Sequence, residues 1–193
     1  LQKTDSIYID AKNMEFRNLS LNGEEVEFSN DGKRLWILNN FDPSEENELV
    51  LEYSAKPKQA MYFINWDIPE AIEASRQVWT QGQGRYTSHW LPSFDDMREK
   101  LVFDLAVKFP DDYEVISNGE LVERNQVNDS LTSWEFSMDQ PMSSYLVAIA
   151  AGDFEKNEIV SSSGIPISLY YEPQDEEKVA STYKYTKKIF DFF

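Results

Sequence analysis

The chain alternates between apolar and polar residues over short stretches that are separated by turn-forming residues. In residues 6–11 and 101–109 every second residue is apolar, which is the period of a β-strand with one buried face. Phe103, Leu105 and Val107 form the apolar face of the second stretch. Further strands of this kind are predicted at residues 19–21, 26–28, 35–38, 49–53, 61–64, 113–117, 120–123, 133–136, 145–150, 159–161 and 165–171. The pattern therefore predicts a mainly β fold.

The residues between these strands favour turns. Asn30-Asp31-Gly32 is the firmest hairpin signal, and a second hairpin is predicted to turn at Ser163-Gly164. Asn22-Gly23 and residues 42–44 separate other strands in the same way. We expect the first 55 residues to form an antiparallel meander.

The end of the chain has a helical pattern instead. Acidic residues open the segment at 175–177 and lysines follow at Lys184, Lys187 and Lys188, which matches the helix dipole. Its apolar residues form two adjacent stripes: Val179, Tyr183, Phe190 and Phe193, and Tyr185, Ile189 and Phe192. A helix that is apolar around most of its circumference is expected to be buried on several sides. We therefore expect residues 175–193 to pack against a domain that follows. A shorter helical segment is predicted to start at Asp67.

The charge of the chain restricts its partners. Its 18 Lys and Arg residues against 35 Asp and Glu residues give a net charge of -17. A field of this sign repels nucleic acids and anionic membrane surfaces, whereas it attracts cationic groups such as the amino terminus of a peptide. No apolar run approaches the roughly 20 residues of a membrane span. The sequence indicates no compartment.

Catalytic motifs are not recognisable in the sequence. It has no cysteine and one histidine, His89, and it lacks HExxH, GxSxG and the phosphate-binding loop. We expect a structural or exposed role for His89. Asp95, Asp96 and Glu99 are too few for a cation site of six or more oxygen ligands. We expect instead that residues 92–97 form a tight turn or a single helical turn whose acids cap backbone groups. No catalytic residue and no metal ligand is therefore predicted in this chain.

A short glycine-rich segment, residues 81–85 (the glutamine loop), interrupts the strand pattern. Gln81 and Gln83 are two residues apart, so in an extended segment their amides point to the same side. Gly82 and Gly84 give the backbone freedom to approach a ligand closely. The loop suits the binding of a polar group, although composition alone favours a purely structural loop.

Several motifs in order resemble a known family. Thr80-Gln81 is followed by Pro-Ser-Phe-Asp-Asp at 92–96, Ser-Asn-Gly at 117–119 and Pro-Met-Ser-Ser-Tyr-Leu at 141–146. In this arrangement the chain resembles the amino-terminal β-domain of the zinc aminopeptidases of the aminopeptidase N and leukotriene hydrolase family. The resemblance is strongest over about 75 residues and extends more weakly to both ends.

The resemblance implies a division of the chain and of the active site. Residues 1–172 would be a saddle-like antiparallel β-domain lacking its first strands, and residues 173–193 the first helix of the catalytic domain. Gln83 would hold the free amino terminus of a peptide substrate, and Gln81 would line the pocket for its first side chain. The zinc cofactor and the catalytic groups would lie on the following domain. The isolated chain is therefore expected neither to bind zinc nor to cleave peptides.

Two other functions are compatible with the residues. The first is a non-catalytic β-sandwich module that binds carbohydrate or protein, with Trp66, Trp79 and Trp90 as exposed stacking faces. The second is a structural interaction domain, which would explain the acidic surface and the apolar terminal helix.

Overall fold

The strands account for most of the regular structure. A computed structural model of the chain describes residues 2–69 and 74–193. Within these ranges the strands are β1 (Thr4–Asp10), β2 (Met14–Leu21), β3 (Glu24–Glu25), β4 (Glu27–Asn30), β5 (Arg34–Phe41), β6 (Leu49–Ala55), β7 (Met61–Ile64), β8 (Gln77–Thr80), β9 (Leu101–Pro110), β10 (Glu114–Ser117), β11 (Glu120–Asn128), β12 (Leu131–Met142), β13 (Ile149–Gly152), β14 (Glu155–Val160) and β15 (Pro166–Tyr171). Their pairings are antiparallel, which confirms the predicted mainly β class.

The first six strands form two three-stranded sheets, β1-β5-β4 and β3-β2-β6. Their inward side chains share one core, made of Ala11, Met14, Leu19, Leu21, Leu35, Ile37 and Phe41. The β4–β5 hairpin turns at the predicted position. There the Asn30 side-chain oxygen accepts the Gly32 N–H at 2.8 Å, and Asp31 accepts the N–H groups of Lys33 and Arg34. The predicted hairpin is confirmed.

The predicted meander of the first 55 residues is wrong. Strand β1 pairs with β5 and β2 pairs with β6, so the consecutive strands β1 and β2 enter different sheets. Asn13, between β1 and β2, has a φ of 54° and redirects the chain at that point. Alternation of apolar residues identifies a strand and its buried face, but it carries no information about the partner strand.

The following strands surround a second core. They form a four-stranded sheet, β10-β13-β8-β7, and a three-stranded sheet, β11-β12-β9. The buried residues between them are Ala60, Val78, Trp90, Val115, Trp134, Phe136, Met142, Val147, Ile149 and Ala151. Phe103, Leu105 and Val107 pack against this core from β9, as predicted. Strands β11 and β12 are longer than the sequence pattern indicates.

One prediction in this region is wrong, and another concerns residues outside the described ranges. Residues 145–150 were expected to form one strand, but a 3-10 helix (Ser144–Leu146) comes first and β13 begins at Ile149. The reason is local, since the Ser143 carbonyl accepts the Leu146 N–H at 3.0 Å, which closes a helical turn. The helical segment predicted to start at Asp67 continues into residues 70–73, which lie outside the described ranges.

The last part of the chain contains the β14–β15 hairpin and three short helical segments. These segments are a 3-10 helix (Pro173–Asp175), α1 (Glu176–Thr182) and α2 (Thr186–Phe192). The predicted carboxy-terminal helix is confirmed, but a turn at residues 183–185 divides it into α1 and α2. The Tyr183 hydroxyl donates to the Tyr170 carbonyl of β15 at 2.9 Å, and this contact coincides with the break between α1 and α2.

The apolar stripes of the terminal helices remain accessible within this chain. Phe192 and Phe193 are 82% and 99% exposed, and Tyr185 and Ile189 are exposed as well. None of the helices in the described ranges has the length and apolar character that crossing a bilayer requires.

Candidate functional site

The glutamine loop follows β8 and leads into a 3-10 helix (Thr87–His89). Hydrogen bonds fix the point where it begins. The Thr80 hydroxyl oxygen accepts the Ile149 N–H of β13 at 2.9 Å, and the Gln81 N–H donates to the Ala60 carbonyl at 2.8 Å. The loop therefore starts from a position fixed by two neighbouring segments.

The two glutamine side chains lie together on the surface. Nε2 of Gln81 donates a long hydrogen bond of 3.5 Å to Oε1 of Gln83, and both residues are exposed. The spacing of two residues predicts this common orientation. Because an amide oxygen has two lone pairs, Oε1 of Gln83 can accept a second hydrogen bond from a ligand.

Gly82 is required by a contact within the chain itself. A Cβ atom at this position would lie 2.3 Å from Oγ1 of Thr87 and 2.8 Å from the carbonyl oxygen of Tyr145. The close approach that Gly82 permits is therefore to the backbone of the 144–146 helix. Gly84 and Arg85 have φ angles of 86° and 70°, and this left-handed pair reverses the chain after Gln83.

A buried carboxylate, that of Asp95, lies against the 3-10 helix that follows the loop. Asp95 is 4% exposed, and its Oδ2 accepts hydrogen bonds from N and Oγ of Ser88 at 3.2 and 2.8 Å. Its Oδ1 lies 3.4 Å from the donor Oγ of Ser144, whose hydroxyl also reaches the carbonyl of Phe94 at 3.1 Å. The Lys12 ammonium lies 3.9 Å from Oδ2. We refer to Asp95, Ser88, Ser144 and Lys12 as the Asp95 network.

Lys12 connects this network to the glutamine loop. Its backbone N–H donates to the Ser88 carbonyl at 2.7 Å, and its ammonium donates to the carbonyl of Arg85. The ammonium also lies 5.8 Å from the centre of the Tyr86 ring. One side chain from the end of the first sheet thus supports the far side of the loop.

Asp96, the residue that follows Asp95, has a different role. Asp96 accepts two hydrogen bonds from the guanidinium of Arg98, at 3.1 and 2.9 Å, and a third from its backbone N–H at 3.0 Å. These bonds hold the pKa of Asp96 well below its ordinary value, and the charge of Arg85 at 3.6 Å acts in the same direction. The expectation that Asp95 and Asp96 cap backbone groups is confirmed.

His89 is half-buried beside Tyr86, with their ring centres 5.9 Å apart. Burial lowers the pKa of His89, the charge of Lys12 lowers it further, and Asp95 opposes both. The imidazole is therefore mostly neutral at pH 7.

The expectation that Trp66, Trp79 and Trp90 are all exposed is wrong at Trp90 and at Trp66. Trp90 is only 8% exposed because its ring belongs to the second core, and its carbonyl accepts the Tyr53 hydroxyl at 3.0 Å. Trp66 is half-buried against Phe109. Trp79 is 38% exposed. Of the three residues, Trp79 alone presents more than a third of its surface.

Sequence reasoning missed the Asp95 network, although its signal was present. Asp95 belongs to the motif at residues 92–96 and Ser144 to the motif at residues 141–146, and the structure joins the two through their side chains.

Comparison with known proteins identifies the class of domain. Residues 1–146 match the description "Peptidase M1 N-terminal domain". An antiparallel β fold with this match is the amino-terminal domain of a metallopeptidase. The chain belongs to the peptidase M1 family, and it resembles aminopeptidases in both sequence and structure.

The relatives are much longer than this chain. Human glutamyl aminopeptidase is 30% identical over 102 residues, which are 53% of this chain and 11% of that protein. Aminopeptidase A of Legionella pneumophila, solved in complex with aspartic acid, superposes with a TM-score of 0.77 at 19% identity and covers 91% of this chain and 21% of its own. An M1 zinc metallopeptidase of Deinococcus radiodurans gives a TM-score of 0.73 at 14% identity, over 89% and 40% of the two chains. The chain spans about a tenth of the length of the curated relatives that lead the comparison.

Zinc is the metal that the family implies, and the side chains within residues 2–69 and 74–193 do not fit it. Zinc in proteins takes three or four nitrogen, sulfur or carboxylate ligands. In the part of the chain that the structure describes, no group of three or more His, Cys, Asp or Glu residues could hold a metal ion.

Proposed function

We propose that this chain binds the amino terminus of peptide substrates for a zinc-dependent aminopeptidase whose metal and catalytic groups lie on a following domain. Gln83 accepts a hydrogen bond from the substrate ammonium, and Gln81 lines the pocket for the first side chain. In this proposal residues 1–172 are the β-domain and residues 173–193 begin the catalytic domain. The observation that carries the proposal is the exposed pair of amides, 3.5 Å apart, on a supported loop of a peptidase M1 domain.

The chemistry of the amide suits an ammonium ligand. A carboxamide oxygen is a neutral acceptor, so it binds an ammonium through a charge-assisted hydrogen bond without an ion pair. Such a bond contributes about 1.5–3 kcal/mol. The net charge of -17 attracts the cationic substrate at longer range.

The position of the anchor decides which bond is cleaved. A substrate whose amino group is held at Gln83 presents its first peptide bond at a fixed distance from that residue. Holding reacting groups in a fixed geometry is a large part of catalysis, and small misplacements reduce rates strongly. In this proposal the chain therefore determines which peptide bond is cleaved, and the following domain carries out the chemical step.

The proposal is tested by kinetics on the full-length protein. We expect Gln83→Ala to lower kcat/KM for aminoacyl substrates roughly 10- to 100-fold, mainly through KM, because one hydrogen bond to a charged group is lost. Gln126→Ala is the matched control, since Gln126 is an exposed glutamine on β11. Equal kinetics for both variants would exclude Gln83 from the site.

Gln81 requires a separate test because its proposed role concerns specificity. Gln81→Ala should change the order of preference among substrates that differ in their first side chain. The same variant should leave the contribution of the substrate amino group to binding nearly constant. A uniform change for all substrates would contradict a role in the side-chain pocket.

Arg85 favours a preference for acidic first residues. Its guanidinium is 67% exposed, and its partner Asp96 already accepts two hydrogen bonds from the guanidinium of Arg98. An accessible cation two residues from Gln83 suits the carboxylate of a first Glu or Asp residue. Human glutamyl aminopeptidase and the L. pneumophila enzyme in complex with aspartic acid are consistent with such a substrate class.

The ratio of kcat/KM for glutamyl and leucyl substrates measures this preference. Arg85→Gln should lower the ratio about tenfold, in keeping with the loss of one charge-assisted contact. Arg124→Gln is the control, since Arg124 lies on β11, in a different sheet from β8, and pairs with Glu114. An unchanged ratio in Arg85→Gln would leave amine binding as the role of the loop and remove Arg85 from specificity.

A further inference from the structure

We propose that Asp95 is a positioning residue for substrate binding, because its buried carboxylate fixes both supports of the glutamine loop. The inference rests on the proposed function, in which Gln83 binds the substrate amine. Asp95 itself is 4% exposed, so it acts through other residues and does not contact substrate.

The first support runs through Lys12. The ammonium of Lys12 lies 3.9 Å from Oδ2 of Asp95 and donates to the carbonyl of Arg85, the last residue of the loop. The backbone N–H of Lys12 holds the Ser88 carbonyl at 2.7 Å, and Ser88 in turn donates twice to Asp95. The far end of the loop is thus attached to the carboxylate from two directions.

The second support runs through Ser144. Its hydroxyl reaches Oδ1 of Asp95 at 3.4 Å, and its carbonyl accepts the Thr87 hydroxyl at 3.1 Å. The next residue, Tyr145, supplies the backbone against which Gly82 packs without room for a methyl group. Since Gly82 lies between Gln81 and Gln83, a shift of residues 144–145 moves both amides.

A carboxylate is the group that this position requires. Its two oxygens face donors from separate segments, the backbone N–H and hydroxyl of Ser88 on one side and the hydroxyl of Ser144 on the other. A buried charge is tolerated only when such donors or a counter-charge surround it, and Lys12 provides the counter-charge. Removing the carboxylate leaves the N–H and hydroxyl of Ser88 without this acceptor, and leaves the Ser144 hydroxyl with the carbonyl of Phe94 as its remaining acceptor.

The experiment separates loop position from general folding. We would measure dissociation constants of the full-length protein for L-leucine hydroxamate and for 4-methylpentanohydroxamate, which lacks the amino group. The ratio of the second constant to the first is the amine ratio. It reports how much the amino group strengthens binding, whereas unfolding would weaken both ligands equally.

We expect Asp95→Ala to lower the amine ratio about tenfold while the desamino ligand binds as to the wild type. In the double variant with Gln83→Ala, the ratio should fall no further than in Gln83→Ala alone, because both changes act on one contact. Asp104→Ala is the matched control, since Asp104 also accepts a serine hydroxyl, that of Ser137 at 2.8 Å, but on β9. Its amine ratio should equal that of the wild type.

The outcomes distinguish this inference from the proposed function. If Gln83→Ala leaves the amine ratio unchanged, the proposed function fails, and this inference with it. If Gln83→Ala lowers the ratio and Asp95→Ala does not, only the positioning role is overturned. Equal weakening of both ligands in Asp95→Ala would show a structural role alone and would also overturn it.

A milder variant decides the question if Asp95→Ala does not fold. Ser144→Ala removes one hydroxyl from the network and leaves the Asp95–Lys12 pair in place. We expect its amine ratio to lie between those of the wild type and Gln83→Ala, and Ser144→Thr, which keeps the hydroxyl, to restore it. A wild-type ratio in Ser144→Ala would contradict the second support and the inference.

Discussion

The hydroxyl of Thr87 donates a hydrogen bond of 3.1 Å to the carbonyl of Ser144, and both residues are buried. This bond joins the 3-10 helix after the glutamine loop to the 3-10 helix before β13. Gly82 packs against the junction, where an added methyl group would meet Oγ1 of Thr87 at 2.3 Å. The position of the loop therefore depends on three residues that do not belong to any strand.

Gly82→Ala tests this junction. We expect the substitution to lower the free energy of unfolding by about 1–3 kcal/mol, the usual cost of overpacking a tight site. In a Thr87→Ala background the same substitution should cost less, because the shortest of the unfavourable contacts is gone. Urea denaturation of the four variants gives both costs. Identical costs in the two backgrounds would show that Gly82 and Thr87 do not compete for space.

The first core offers a comparison within one strand. Leu35 on β5 is fully buried, whereas Leu38 on the same strand is 41% exposed. Leu35→Ala should lower the free energy of unfolding by about 2–5 kcal/mol, and Leu38→Ala by about 0.5 kcal/mol or less. Similar losses at the two positions would contradict the assignment of the buried face of β5.

The single histidine makes the stability of the chain dependent on pH near neutrality. Burial lowers the pKa of His89 below the 6.5 of an exposed histidine, so the unfolded chain binds the proton more readily. Protonation of His89 therefore costs no stability above about pH 6.5, and its cost to stability grows as the pH falls below that value. The urea midpoint should be lower at pH 5.5 than at pH 7.5, and His89→Gln should reduce the difference. The same difference in both proteins would exclude His89 as its source.

Local structure followed from the sequence where a single pattern determines it. The alternation of Phe103, Leu105 and Val107 defines β9 because one face of that strand packs against the second core. Asn30 and Asp31 form their hairpin because their side chains cap the backbone two and three residues ahead. These effects act over a few residues, so they can be read without knowledge of the fold.

Contacts between distant parts of the chain could not be predicted from such local patterns. The pairing of β1 with β5 depends on how two sheets share one core, and the break near Tyr183 coincides with a contact to the Tyr170 carbonyl. Asp95 was predicted to cap a turn, which it does at Ser88, but its link to Ser144 spans 49 residues. Such links depend on the complete fold, whereas the pair Gln81 and Gln83 could be predicted from spacing alone.

The binding of the substrate amine by Gln83 is tested most directly by replacing this residue with side chains of similar size that differ as hydrogen-bond acceptors. The measurement is KM for a leucyl substrate in the full-length protein with Gln, Glu or Leu at position 83. Gln83→Glu adds an ion pair and should lower KM, whereas Gln83→Leu removes the acceptor and should raise KM about tenfold or more. Equal KM values for Gln83→Glu and Gln83→Leu would show that no ammonium is bound at this position and would contradict the proposed function.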